Sequence, residues 1–284
     1  SKLHFQILES FSFCRIYIRL FNKYSFFGVR NIFFRNIISY LELVSFKILL
    51  RGTNLLICKI KFCLEMIKEE IYQKLDAYKE KGLTLFTSSS FQTHSIVLLH
   101  LLSEYDASIP VYFLNTGYHF PETLAYRDQI ADLYKLDVRV ISSSIPRNMQ
   151  KDAEGRLLFT SDPDHCCYIN KVQPLDAVLT EYDIWINGVR ADQSAVRKGF
   201  NIEQDAPHNT TRFHPMLDWD VRMIEKYIKE HNIPRHPLEA KGYLSIGCEP
   251  CTRKFDIDSY NRQGRWFGLN KTECGLNTEL ITKK

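Results

Sequence analysis

The chain has 284 residues, 45% of them hydrophobic, which is enough for one large or two small domains with a sizeable core. Its net charge of +4 hides an uneven split: residues 1–65 carry ten Lys/Arg against three Asp/Glu (+7), and residues 66–284 carry 27 against 30 (−3). The slightly acidic body excludes nucleic acid as an implied partner. Eight cysteines without a signal peptide point to reduced thiols in a cytoplasmic setting rather than a secreted disulfide framework.

Residues 1–65 form an atypical basic leader, rich in Phe, Ile, Leu, Ser, Asn and Arg, with no Pro and two Gly. Arg15, Arg19, Lys23, Arg30, Arg35, Lys47 and Arg51 break every apolar run, so no transmembrane helix is expected. Three readings fit: upstream sequence with Met66 as the true start, an organelle transit peptide, or a helical extension packed on the body or on a membrane surface. Cys14, Cys58 and Cys63 read most simply as buried or incidental thiols.

From Met66 the pattern changes. Met66-Ile-Lys-Glu-Glu-Ile-Tyr-Gln-Lys-Leu75 predicts an amphipathic helix over 66–80, stopped by Lys81-Gly82. Leu83–Thr87 reads as a short buried strand, Ser88–Ser95 as a small-residue loop, and Ile96–Leu102 as the start of a helix. A strand, a small-residue loop and a helix N-terminus together can receive phosphate through outward N–H groups and the helix dipole. Ser88, Ser90 and Ser95 would add hydroxyls, although a plain N-cap explains the serines equally well. No Gly-Lys-Ser/Thr is present, which excludes a Walker loop. Val111–Leu114 is a second strand, Asn115–Thr123 a turn capping a helix to about Tyr134, and Asp137–Ser142 a third strand. This alternation predicts a parallel, doubly wound sheet with ligands beyond the strand C-termini.

The second half opens on Asp164-His-Cys-Cys-Tyr-Ile-Asn-Lys-Val-Gln-Pro-Leu175. Ile184–Gly188 reads as another buried strand, followed by Val189-Arg-Ala-Asp-Gln-Ser194. His214–Trp219 and a helix over Val221–His231 read as scaffold, and His214, His231 and His236 receive no role. Cys248 and Cys251 have the spacing at which two thiolates reach one metal or cluster. Cys274 stands alone beside Gly275, with Arg262 and Arg265 upstream, which makes it a candidate nucleophile.

The run Gly242-Tyr-Leu-Ser-Ile-Gly-Cys-Glu-Pro-Cys-Thr-Arg253, then Gly264-Arg-Trp and Lys271-Thr-Glu-Cys-Gly-Leu276, resembles the C-terminal signature of the assimilatory adenylylsulfate (APS) and phosphoadenylylsulfate (PAPS) reductases. The resemblance covers roughly Met66 to Leu280 and leaves out the leader. It implies a doubly wound, mostly parallel α/β sheet of the Rossmann-like, adenine nucleotide alpha-hydrolase-like type. Residues 66–284 would form one sulfonucleotide reductase domain with a mobile catalytic tail over about 255–284. It further implies that Cys166, Cys167, Cys248 and Cys251 ligate one 4Fe–4S cluster, a four-Cys zinc site being the other reading of the same thiols. Ser88 and Ser90 would belong to a modified phosphate loop. Thr116 and Gly117 would wall the nucleotide pocket, Gly188, Arg190 and Arg197 would hold the nucleotide, and Lys171, Arg262 and Arg265 would hold the phosphosulfate.

The implied activity is reduction of APS to sulfite and AMP through a Cys274 S-sulfocysteine, with thioredoxin or a glutaredoxin-like protein as donor. No thioredoxin-like segment follows Lys284, so the donor is expected to be a separate protein, and the chain is expected to be a homo-oligomer. The cluster cysteines favour APS over PAPS. An ATP-pyrophosphatase-like adenylyltransferase is disfavoured because Ser88–Ser95 lacks the Ser-Gly-Gly-x-Asp-Ser loop of those enzymes. A non-catalytic iron–sulfur or zinc module is disfavoured by the Cys274 motif. Two positions depart from the family pattern: Asn170 stands where Arg is usual, and Asn277 where His is usual.

Overall fold

The computed structural model describes residues 54–254, 271 and 273–280, with side chains from Ile67 onward. The readings of residues 1–53, and the arginines Arg262 and Arg265, lie outside the described residues. The chain divides into two units, Ser1–Met66 and Ile67–Lys284. No helix among the described residues is long and apolar enough to cross a membrane.

Helix α1 spans Asn54–Glu80, starting earlier than Met66 because Leu55–Glu65 contains no Gly or Pro to interrupt it. It stops at Gly82, whose φ of +70° is a left-handed conformation that glycine adopts without a steric penalty. Ile71, Leu75 and Tyr78 recur at helical spacing and are buried. Tyr78 meets Phe213 edge-on, with ring centroids 5.6 Å apart.

The βαβαβ alternation follows: β1 Leu85–Ser88, α2 Thr93–Asp106, β2 Val111–Asn115, α3 Pro121–Tyr134 and β3 Val138–Ser142. Each helix carries the chain back across the sheet, so β1, β2 and β3 run parallel. Two short helices, α4 Leu158–Ser161 and α5 Pro163–Cys167, lead through a π-helical turn at Tyr168–Val172 into α6, Gln173–Leu179. Strand β4, Ile184–Ile186, then pairs with the other side of β1, opposing Trp185 to Phe86. After α7, Ala195–Lys198, comes the hairpin β5 Glu203–Asp205 and β6 Thr211–Phe213, and then α8, Val221–Glu230. Asp220 caps α8 by accepting from the Met223 N–H at 2.9 Å.

The sheet order is β3-β2-β1-β4-β6-β5, parallel except for β5 at one edge. The chain leaves β1 toward β2 and later returns on the opposite side as β4. That topological switch opens a crevice beyond the C-terminal ends of β1 and β4. One face of the sheet packs on Phe86, Tyr112, Leu175, Leu179 and Trp185, and Leu280 from the C-terminal segment completes this cluster. Burying a side chain of this size stabilises by about 2–3 kcal/mol, so docking Leu280 anchors the end of the described chain.

Candidate active site

The loop after β1 borders the crevice. Trp185 Nε1 on β4 donates to Ser88 Oγ (2.8 Å), fixing the strand end. Ser89 is buried and accepts from the Phe91 N–H (3.1 Å). Phe91 takes the left-handed region (φ +52°) while its ring is fully buried, at a backbone cost of roughly 1–3 kcal/mol. Ser90 remains exposed. Gln92, the residue before α2, makes no side-chain cap; its Oε1 accepts instead from Ile246 N–H (3.1 Å), tying the loop to the segment before Cys248.

Across the switch point, Arg190 follows β4 and is 3% exposed. Its Nε donates to Asp192 (3.0 Å) and its Nη1 to His94 Nδ1 (3.3 Å) in the first turn of α2. His94 Nε2 in turn bonds Glu225 (3.1 Å). Arg190 is therefore held rigidly at the crevice beside the helix N-terminus. A Cβ added at Gly188 would meet Leu98 at 3.6 Å, an ordinary contact, so the protein's own packing does not require glycine there.

Beyond β2, Asn115 Oδ1 accepts from Gly117 N–H (3.0 Å), and Gly117 turns with φ +71°. The turn presents buried Thr116, whose hydroxyl lies 3.3 Å from Cys248 Sγ. The Cys248–Cys251 turn is fastened to this loop by Glu249 N–H donating to Tyr118 O (2.7 Å) and by a bridge between His119 and Cys248. Cys166 and Cys167 arrive from the other side, at the end of α5. Successive residues on a helix diverge by about 100°. The helix end and the π-helical turn place both thiols and Lys171 along the wall of one pocket.

That pocket is lined by Cys166, Cys167, Cys248, Cys251, Tyr118 and Lys171. None of the four cysteines is in a disulfide. Burial pushes the Cys166 thiol up to about 12, and the neighbouring thiols Cys167, Cys248 and Cys251 add to the effect. Burial also raises Cys167, while nearby Lys171 works against it. The buried Tyr118 hydroxyl has no hydrogen-bond partner among the described residues. Asn170 Nδ2 points at Cys166 Sγ (3.6 Å) and is held by a reciprocal pair with Gln150 (2.7 and 3.0 Å). Sulfur ligands with N–H and O–H donors aimed at them, beside an unpaired phenol, suit an anionic sulfur-rich group. Four thiols around one pocket, with these donors aimed at them, fit a sulfur-ligated metal centre.

The C-terminal segment lies next to this pocket. A Cβ on Gly275 would come within 2.9 Å of Val172 Cγ2, so the segment packs closely on the π-helical turn. Glu273 is 5% exposed and accepts from Arg197 through both oxygens (3.1 and 2.9 Å), from Ser194 Oγ (2.7 Å) and from the Cys274 N–H (2.9 Å). Arg197, expected at the nucleotide, is thus engaged by the residue preceding the thiol. Lys271 is almost fully buried and ion-paired with Asp164. Burial acts to lower its ammonium, but Asp164 and the Cys167 and Cys274 sulfurs outweigh it and hold the pKa up.

Four residues around Cys274 receive no role from the sequence: Lys271, Arg212, Glu273 and Asn277. Three of them lie within three positions of the cysteine, where a short motif already marked the spot. Arg212 sits in a strand far from the motif, and its only local signal is a lone cation beside Phe213 in a buried stretch.

A family model described as the phosphoadenosine phosphosulfate reductase domain matches residues 84–254. An adenosine 5'-phosphosulfate reductase of Salinibacter ruber is 35% identical over 199 residues, covering 69% of this chain and 79% of the relative. A phosphoadenosine 5'-phosphosulfate reductase of Gloeobacter violaceus is 38% identical over 200 residues, covering 69% of this chain and 83% of the relative. Among solved structures, the phosphoadenylyl-sulfate reductase of Candida auris in a phosphate complex superposes with a TM-score of 0.51 at 22% identity, over 60% of this chain and 83% of that one. The FMN adenylyltransferase of Candida glabrata does so with a TM-score of 0.51 at 16% identity, over 80% and 76%. These two structures share the mostly parallel nucleotide-binding fold.

Proposed function

The chain belongs to the phosphoadenosine phosphosulfate reductase domain family, and from that premise we propose that it reduces adenylylsulfate to sulfite and AMP, with Cys274 as nucleophile and a separate dithiol protein as donor. The observation that carries this reading is the docking of the Cys274 segment beside Lys271 and, through Gly275, against the turn that follows Cys167 and bears Lys171. A thiolate needs neighbouring cations to approach a doubly anionic phosphosulfate.

In the proposed reaction the Cys274 thiolate attacks the sulfate sulfur. An S–S bond forms, the S–O bond to phosphate breaks, and AMP leaves with that electron pair. A thiolate of the donor then attacks Cys274 Sγ, and sulfite departs with the S–S electron pair. The donor's second thiol resolves the mixed disulfide. The sulfur gains two electrons and the donor dithiol becomes a disulfide. Lys171 and Lys271 neutralise the phosphosulfate from this chain's side, with Arg262 and Arg265 as further candidates. Ser88, Ser90, Thr116, Gly117, Gly188, Arg190 and Arg197 are the proposed nucleotide contacts, a reading supported by their places at or after the C-terminal ends of β1, β2 and β4. A 4Fe–4S cluster would be held by Cys166, Cys167, Cys248 and Cys251, and it supplies fixed charge beside Lys171. Thioredoxin is the proposed donor. The free thiols suit a reducing compartment, and we assign the activity to the cytoplasm.

The Gloeobacter violaceus relative favours PAPS as a second reading of the substrate. The test is sulfite release by the full chain, purified without oxygen, given reduced thioredoxin and either nucleotide. Sulfite from APS that disappears in Cys274→Ser supports the proposal. Sulfite from PAPS alone moves the assignment, and sulfite from neither sinks it.

A further inference from the structure

Arg212 on β6 is 1% exposed, and its guanidinium lies over the Trp185 ring (4.2 Å) and the Phe200 ring (5.5 Å). Buried cations normally find a carboxylate. Among the described residues this one does not: its hydrogen bonds there all go to one short segment. Nη1 donates to Leu276 O (2.9 Å) and more distantly to Leu280 O (3.5 Å), and Nη2 donates to Asn277 Oδ1 (2.9 Å). Nε is buried without a partner among the described residues. The other end of the same amide, Asn277 Nδ2, donates to Glu273 Oε1 (3.3 Å), the carboxylate gripped by Arg197. A continuous chain, Arg212–Asn277–Glu273–Arg197, therefore holds the segment that carries Cys274, whose N–H donates to Glu273. The middle link must accept from a cation on one side and donate to a carboxylate on the other. An amide does both.

We propose that Arg212 and Asn277 are positioning residues for Cys274, forming a clasp that sets how long the thiol stays docked. The inference rests on the reading of Cys274 as nucleophile, because that reading gives the sulfur two partners in turn. It must be docked to meet the nucleotide, and released to meet a protein thiol. If residues 273–280 lift away, the buried guanidinium loses the acceptors at Leu276, Asn277 and Leu280, so the docked state is favoured until the clasp opens. Weakening the clasp should therefore slow attack on the nucleotide and speed attack by the donor. General destabilisation does not produce that opposite pair of effects.

The test uses the full chain and two readouts. The first is the plateau rate at which iodoacetamide alkylates Cys274, reached where the thiol is fully ionised and followed on the Cys274 peptide by mass spectrometry. Asn277→Leu is expected to raise it about tenfold, the ratio set by losing one charge-assisted hydrogen bond. Arg212→Lys, which keeps the charge and loses the fork, is expected to raise it as well. The double variant should show less than the sum of the two single effects, since the Arg212–Asn277 bond is lost only once. The second readout separates the two steps: S-sulfonation of Cys274 by APS without donor, and sulfite release from that adduct by dithiol. Slower S-sulfonation together with faster release supports the clasp. An unchanged alkylation rate in a natively melting Asn277→Leu overturns it, as do additive effects in the double variant. If wild-type Cys274 is never sulfonated while alkylation responds as expected, the reductase reading fails and the clasp stands.

Discussion

Five cysteines meet at one end of this sheet, in two environments. Four line a pocket walled by Tyr118, Phe159 and Asn170, where a hydroxyl reaches Cys248, an amide reaches Cys166 and Lys171 stands in the wall. Burial there pushes Cys166 up to about 12 and raises Cys167 as well, and a metal centre is what such thiols are suited to receive. The fifth, Cys274, sits in a segment gripped by Arg197 and Arg212, with Lys271 close by. The same side chain is offered as a ligand where four thiols share one pocket, and as a nucleophile where one thiol stands alone among cations. The difference comes from the backbone. The π-helical turn at Tyr168–Val172 separates the two environments, with the pocket at its start and Gly275 packed on its end at Val172.

Substituting one cysteine from each environment gives the largest expected effects, and they should be of different kinds. Cys274→Ser should abolish sulfite formation and leave visible absorbance of the anaerobic protein intact. Cys248→Ser should bleach that absorbance and lower the melting temperature. If Cys274→Ser also bleaches, the two environments are not separate and the division of labour is wrong. Next in size is the ion pair that tethers the segment. Arg197→Met leaves the Glu273 carboxylate buried without its bidentate partner, at a cost of about 3–5 kcal/mol. The loss should appear as faster alkylation of Cys274, while the absorbance of the cysteine pocket stays unchanged.

The two regions were also unequally readable from sequence. The strands β1 to β4 stood out because each is a short apolar run ended by small or turn-forming residues, and the structure moves their ends by only a residue or two. The pocket was legible because adjacent cysteines and a Cys-x-x-Cys pair are rare. The hairpin was missed: Glu203-Gln-Asp205 is polar, and it is a strand only because β6 offers it a partner. The clasp was missed for a related reason. Asn277 was noted only as a departure from a family pattern, yet its amide is buried between Arg212 and Glu273. The resemblance puts Arg197 at the nucleotide, and nothing near it in sequence points to Glu273, its partner 76 positions away. Long-range polar pairing leaves no local periodicity to read.

Acid should act on one region before the other. His214 is fully buried, stacked on Phe200 with centroids 5.3 Å apart, and donates from Nδ1 to Asn201 O (2.7 Å). Burial, helped by Arg212 and Arg197, pulls its imidazole down to about 4. The folded state therefore favours neutral His214, and the unfolded chain binds its proton at higher pH. The resulting stabilisation is complete above about pH 6.5 and drains away as pH falls toward about 4, by roughly 3 kcal/mol in all at 1.36 kcal/mol per unit. Denaturant unfolding from pH 7 to 4 should show this slope. His214→Gln, which cannot titrate, should flatten it. An unchanged slope would assign the acid sensitivity to other groups.

The smallest effect tests the join between the two environments. A methyl on Gly275 would lie 2.9 Å from Val172 Cγ2 and 2.7 Å from Glu279 Oε1. The Glu279 carboxylate ends a flexible side chain and can move aside. Val172 cannot, because it belongs to the apolar cluster with Leu175, Trp185 and Leu280. Gly275→Ala should therefore push the segment off the turn at a cost of about 1–3 kcal/mol, seen as faster alkylation of Cys274 with little change in the overall melt. Removing the obstacle should restore docking, so Gly275→Ala with Val172→Ala should alkylate more slowly than Gly275→Ala alone. That reversal separates a steric join from a need for glycine flexibility. If the clash at Val172 positions the thiol, the second substitution repairs the first; if backbone freedom does, the double variant is no better than the single.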